Sequence, residues 1–309
     1  MRTTLSNINK EETESLLQQL SEMGYRFTRP LSTRTCYSDD TPPEKLLKAI
    51  ILDTETTGFN QDTDKIIELG MVAFEFSPKT GQAYRVLGTF NQLEDPEFPI
   101  PAESTKVHHI TDEMVKGKSI NNVEVASFIE AIPLIIAHNA KFDRPFVESR
   151  FPIFKEKAWA CSLSQIPWKE EGYGSASQEF LAYRFGFHYE GHRVSTDCRA
   201  LLEILQKQFP ESDTKVLKKL IESLTKKEIK VTPLASPYES KDLLRIRGYR
   251  WNPELKSWSA MIPFETLENE AEWLKSMVYN GRSFKLEQEK ITAKNRFSTR
   301  KGEVEIVHY

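Results

Sequence analysis

The stretch Ala49-Ile-Ile-Leu-Asp53-Thr-Glu55-Thr-Thr-Gly58 limits what this chain can fold into more than any other. Its apolar start reads as a buried strand, and at its end the pattern gives way to acids and hydroxyls. Side chains alternate faces along a strand, so Asp53 and Glu55 project to the same side. Two neighbouring carboxylates repel each other and resist desolvation. A divalent cation between them removes both costs, because hard cations prefer carboxylate oxygen. Gly58 then permits a sharp turn and the close approach of another group. Taken alone, the pair also reads as a solvated strand end leading into an acidic turn. A metal-holding strand end needs further acids from elsewhere in the chain.

A chain of 309 residues accommodates one α/β domain with smaller additions. With 39% hydrophobic and 28% charged residues, its composition is that of an ordinary globular protein. No apolar run nears the roughly 20 residues of a membrane span, and the polar N-terminus lacks the apolar core of a signal peptide. Cys36, Cys161 and Cys198 have no CxxC spacing. That argues against a disulfide scaffold or zinc site and for a reducing cytoplasm, and the last two read as small buried apolar residues. Charge is uneven: residues 211–309 carry 19 Lys and Arg against 15 Asp and Glu, a net of +4, which leaves −7 on the other 210. An acidic body with a mildly basic tail suits a metal site beside a nucleic-acid contact surface.

The pattern divides the chain into an N-terminal helical extension and linker (1–44), an α/β domain (45–210) and a small α+β accessory domain (211–309). Leucines at helical spacing predict a helix over 10–23, followed by a short strand at 25–27 and a Pro-punctuated linker over 30–43. Strands are expected at 48–54, 65–76, 83–93, 134–137 and 159–162, with helices after Thr111, near 123–129, over 141–149, at 177–185 and at 196–209. Strands first and helices interleaved later predict a mixed sheet with helices on its faces. In the tail, 214–230 reads as helical, Asn252-Pro253 as the turn of a hairpin between Trp251 and Trp258, and the cations of 285–301 as a solvated face or flexible tail. Arg245, Arg247, Arg250 and Lys256 beside Tyr249, Trp251 and Trp258 suit a single-strand grip, although a small domain also needs such aromatics for its core.

Two later segments supply acids. Ala137-His-Asn-Ala-Lys-Phe-Asp143 puts a carboxylate just past a buried strand, where it would also serve as a helix-terminal group. Gly191-His192-Arg-Val-Ser-Thr-Asp197 puts a His on a loop and an Asp in the first turn of a helix. Asp53-x-Glu55, His138-Asn-Ala-x-Phe-Asp143 and His192-x4-Asp197 together resemble, in order and spacing, the DEDDh 3′–5′ exonucleases, the group that includes the proofreading epsilon subunit of bacterial DNA polymerase III. The resemblance covers about half of the chain. The sister group with Tyr-x3-Asp fits less well, since Arg193 stands four residues before Asp197. The Gly-Tyr-Arg-Trp tail also resembles that of free-standing bacterial members.

The resemblance implies a ribonuclease H-like fold and release of nucleoside 5′-monophosphates, by hydrolysis on two divalent ions, Mg²⁺ or Mn²⁺. By the same resemblance Asp53 bridges both ions, Glu55 and Asp197 complete the nucleophile-side ion, and Asp143 reaches the second. His192 then stands where the family's general base stands, a role that suits an imidazole with an ordinary pKa of about 6.5. Thr56, Thr57, Gly58, Phe59, His108 and Asn139 are candidates for contact with the terminal nucleotide. His109 replaces the glycine usual after the family's His or Thr, which leaves that loop's shape open. DNA is the expected substrate, with a DNA polymerase or repair partner and no membrane. Two rivals are an RNA 3′–5′ exonuclease and a non-catalytic nucleic-acid-binding or polymerase-associated module; the presence of all five expected catalytic residues disfavours the second.

Overall fold

The computed structural model describes residues 10–309, in which helix α1 (Lys10–Glu22) and a short strand β1 (Arg29–Pro30) precede the main sheet. That sheet is built from β2 (Leu47–Thr56), β3 (Ile66–Phe76), β4 (Ala83–Leu93), β5 (Leu134–Ala137) and β6 (Ala158–Cys161), in the order β4-β3-β2-β5-β6. β3 runs antiparallel to β2 and β4, whereas β5 and β6 run parallel to β2. This is the ribonuclease H-like arrangement. Helices α2 (Ala102–His108), α3 (Asp112–Val115) and α4 (Asn122–Ile129) cross from β4 to β5. Helix α5 (Ala140–Arg150) follows β5 directly, and α6 (Gln178–Arg184), β7 (Phe187–His188), α7 (Val194–Leu205) and α8 (Val216–Leu224) follow β6.

Both faces of the sheet are covered, which is why β3 is apolar almost throughout. The alternation of β2 sends Ala49 and Ile51 into one core with Leu201 and Leu205 of α7, and Ile50 and Leu52 into the opposite core with Phe146 and Val147 of α5. β2 is thus clamped between two helices, and the acids at its end lie where those helices begin. Val216, Leu217 and Leu220 of α8 join the α7-side core, so the division drawn at 210/211 falls inside the packed body. A separate apolar core begins with β8 (Glu228–Pro233). It includes α9 (Lys241–Arg247), β10 (Ser257–Pro263), α10 (Leu267–Trp273) and β11 (Lys285–Ile291), and β9 (Arg250–Asn252) and β12 (Glu303–His308) complete an antiparallel sheet ordered β12-β11-β8-β10-β9.

Several expectations need correction. Residues 25–27 form no strand; the backbone pairs two residues later, where Arg29 N–H reaches Gly186 O and Leu31 N–H reaches His188 O. The linker over 30–43 is docked on the edge of β4, with Val86 N–H donating to Thr35 O and Tyr37 N–H to Tyr84 O. The helix expected over 214–230 ends at Leu224, and Ile229 and Val231 alternate into the second core as part of β8. Of the cations over 285–301, Lys285, Lys290, Lys294, Arg300 and Lys301 do lie on an exposed face, but Arg296 is buried and the segment is no loose tail. β11 lies between β8 and β12, and the strap after it is bound to α5.

Candidate active site

The acids converge because two helices start at the same end of β2 from opposite faces. Asp53 and Glu55 lie on the α7 side, and Asp197 in the first turn of α7 comes to meet them. Thr54 points the other way, where its hydroxyl donates to Asp143 Oδ1 (2.8 Å) in the first turn of α5. Carboxylate oxygens of Asp53, Glu55 and Asp197 lie within 4.8 Å of one another. Asp53, Glu55, Asp143, His192 and Asp197 all line one cleft of about 210 Å³, together with Thr54, His138, Asn139, Phe142 and Gln178.

Local packing explains how Asp197 gets so close. Gly70 sits opposite Asp53 in the β2–β3 register, and a Cβ there would come within 2.5 Å of Val194 Cβ at the start of α7. Only a bare backbone lets that helix rest on the sheet at this point. Arg193 N–H donates to Asp197 Oδ2 (2.9 Å), and Gln178 Nε2 donates to Asp197 O (3.0 Å) and Tyr189 Oη (2.8 Å). His192 is exposed at the rim with a left-handed backbone (φ 64°), which turns the loop into α7.

Crowded acids with little water hold their protons. Burial, then the charges of Asp143, Asp197, Glu55 and Glu68, push Asp53 far above the carboxylate range. Burial, then Asp197, Glu68 and Asp143, push Glu55 up to about 8. Burial lifts Asp143 to about 7 against the Thr54 hydrogen bond, and also raises Asp197 against its hydrogen bond from the Arg193 backbone. An all-oxygen donor set strained by its own charge fits a hard divalent cation.

A protein-family model described as exonuclease matches residues 50–205, half of the chain, and contains every one of these acids. This chain belongs to the DEDDh-type 3′–5′ exonuclease family. The exonuclease is 30% identical over 161 residues to DNA polymerase III subunit epsilon of Treponema pallidum, covering 49% of this chain and 72% of that one. It is 29% identical over 196 residues to the PolC-type DNA polymerase III of Clostridium perfringens, covering 60% of this chain but only 13% of that polymerase. Among solved structures it is similar to exonuclease X in complex with 5′ overhanging duplex DNA, at 22% identity and a TM-score of 0.39, over 55% of this chain and 99% of that one.

The exonuclease's other candidate residues divide in two. Asn139 lines the cleft in a left-handed conformation (φ 83°) that Asn tolerates better than most residues. Phe59 is 91% exposed and stands edge-on to Phe142, which lines the cleft, at 6.0 Å between centroids. Thr56, Thr57, Gly58 and His108 do not line it. Thr56 Oγ1 donates to Gly58 O and Thr57 Oγ1 to Asp64 Oδ1, so both hydroxyls brace the turn; a Cβ on Gly58 would strike the Asp64 carboxylate at 2.6 Å. His108 is only 2% exposed; its Nδ1 accepts from Ile110 N–H, and burial lowers its pKa to about 4. It is therefore a neutral ring with the proton on Nε2, which finds no partner among the described residues.

His138 of the second motif is also neutral. Nε2 donates to Ala176 O (2.9 Å), Nδ1 faces Ser162 Oγ (2.8 Å), and burial lowers its pKa to about 4. It ties the segment before α6 to the site and cannot serve as base. Sequence reading missed Gln178, Thr54 and Glu68. Glu68, fully buried beside Asp53 and Glu55, pairs with Arg193 at 3.1 Å. One signal pointed to it: a lone carboxylate inside the apolar run Ile66-Ile67-Glu68-Leu69 must find a partner. Gln178 had none.

Proposed function

We propose that the exonuclease removes nucleoside 5′-monophosphates from the 3′ end of DNA, with two divalent ions held by Asp53, Glu55, Asp143 and Asp197 and with His192 as general base. The observation that carries this is the meeting of four carboxylates and one exposed imidazole in a single small cleft. Asp53, Glu55 and Asp197 would hold one ion and Asp53 with Asp143 the other; when bound, such a pair supplies activated water and charge stabilisation at the leaving 3′ oxygen. Thr54 and the Arg193 backbone fix the directions of Asp143 and Asp197. His192, at the open rim, takes the water's proton and passes it to solvent. Phe59 and Phe142 offer an aromatic wedge for the terminal base, and Asn139 lines the cleft beside Phe142.

The test is degradation of 3′-labelled and 5′-labelled DNA and RNA, single- and double-stranded, with Mg²⁺, Mn²⁺ or EDTA. Release of labelled monophosphate from the 3′ end of DNA, lost in EDTA, is expected. EDTA-insensitive cleavage would reject the metal mechanism, and preference for RNA would reject the DNA assignment. His192→Ala should lower kcat by about 10²- to 10⁴-fold while leaving metal affinity, read by calorimetry, within a few-fold of the parent. A wild-type rate in that variant would remove the base assignment.

A further inference from the structure

A mostly apolar cavity, larger than the catalytic cleft, lies in the C-terminal sheet. It has about 630 Å³, a volume typical of ligand sites, between the loop after β8, the start of α9 and the β9–β10 hairpin. Tyr238, Trp251 and Leu255 line it and are 74%, 49% and 60% exposed. Two lysines, Lys241 and Lys256, line it as well, and no carboxylate does. We infer that this cleft binds a single strand of nucleic acid, with bases stacked on Trp251 and Tyr238 and phosphates on Lys241 and Lys256.

Three features favour that occupant. The platforms are rigid: Trp251 faces Trp258 across the hairpin at 5.6 Å, and Trp258 is packed on the second core. Asn252 Oδ1 accepts from Glu254 N–H and Leu255 N–H to set the hairpin turn, while Leu234 O accepts from Tyr279 Oη to fix the facing loop. Lys241 Nζ sits 4.1 Å over the Tyr238 ring and donates to its hydroxyl, so one face of the ring carries a cation and the exposed remainder is open to a base. The charge is one-sided: Asp242, next to Lys241 in sequence, is paired with Arg245. Aromatic faces interleaved with ammonium groups in a lining that holds no carboxylate match a strand of bases and phosphates, whereas an apolar peptide would bring neither lysine a counter-charge. Such a site would hold the strand on the enzyme between cleavage events. Binding there does not require cleavage.

The test uses the full chain carrying Asp53→Asn, titrated with a fluorescein-labelled oligothymidylate of roughly 20 nucleotides and its oligouridylate counterpart, by anisotropy and by tryptophan quenching. Trp251→Ala should weaken binding about tenfold and remove most of the quench, and Trp251→Phe should keep most of the affinity. Lys256→Ala should weaken binding and lower the salt slope by about 0.7. In the Asp53-containing parent, Trp251→Ala should leave manganese-dependent hydrolysis of the p-nitrophenyl ester of thymidine 5′-phosphate within twofold, because that ester needs only the catalytic cleft. Affinity within twofold of the parent in both Trp251→Ala and Lys256→Ala would overturn the inference. So would a dimer that dissolves on Trp251→Ala with oligonucleotide affinity unchanged. If the chain bound the oligonucleotide through Trp251 yet hydrolysed neither ester nor DNA, the function proposed above would fall and this site would stand.

Discussion

At the scale of single residues, the acids of the cleft are unstable neighbours that a metal would reconcile. Glu55 moves from an ordinary 4.5 in the unfolded chain to about 8 in the fold, and Asp143 from 3.8 to about 7. For an acid whose folded pKa is raised, the folded state binds the extra proton, so stability falls as pH climbs past the unfolded value. The loss begins near pH 4 and is complete above about pH 8. In EDTA, the melting temperature should therefore drop between pH 5 and pH 8. Manganese should restore it, and by more at pH 8 than at pH 5.5, since only ionised carboxylates bind the ion and only they repel. Glu55→Gln should raise the EDTA melting temperature at pH 8 and shrink the manganese increment. A manganese effect that does not depend on pH would mean that the cluster is not the ion's site. Asp53, Glu55, Asp143, His192 and Asp197 stood out in sequence only as a set, through the order and spacing they share with a known family, and the fold brings all five to one cleft. Gln178 did not stand out, because an amide that holds Asp197 through its backbone leaves no mark that distinguishes it from any surface glutamine.

Between elements, the contact that matters most is the seat of α7 on β3. Val194 fits only because residue 70 lacks a side chain. Gly70→Ala should push the start of α7 off the sheet and cost about 1–3 kcal/mol, the range for overpacking a tight contact. Asp197 and His192 ride on that turn, so a shift near 1 Å should lower kcat about 10²-fold. Thermal melting and single-turnover rates measure the two effects separately. Loss of stability without loss of rate would show that α7 re-seats without disturbing the site. The strands and helices of the body were readable from period alone, because buried strands and amphipathic helices leave strong patterns. Pairings that depend on a distant partner were not. The 30–43 segment looks like a linker until β4 offers it open hydrogen-bonding groups, and β8 looks helical until β10 and β11 flank it.

For the whole molecule, the strap between β11 and β12 joins the two cores. Arg144, next in sequence to Asp143, is fully buried; its guanidinium donates to Arg296 O (2.5 Å) and Lys294 O, and pairs with Glu148 at 2.7 Å. Glu148 also accepts from Ser298 Oγ (2.6 Å) and Arg300 (3.1 Å). Burial works against its charge, but the hydrogen bonds from Arg300, Ser298 and Arg144 prevail and hold its carboxyl below the usual range. One turn of α5 therefore carries Asp143 into the cleft and anchors the C-terminal sheet on its other side. Glu148→Ala would leave the Arg144 guanidinium buried without its counter-charge, a change that typically costs about 3–5 kcal/mol. At about 2–4 °C per kcal/mol for a body of this size, the melting temperature should fall by roughly 10 °C. The single unfolding transition expected of the parent should split, the C-terminal sheet melting apart from the body. Ser298→Ala with Arg300→Ala cuts the same joint from the strap side and keeps the Arg144–Glu148 pair. It should split the transition with a smaller fall in the body's melting temperature. If both variants melted in one unshifted step, the side chains at this joint would be passive contacts, and coupling of the two sheets would rest on the Trp159 N–H to Ala293 O bond, Phe297 and the β8 connection.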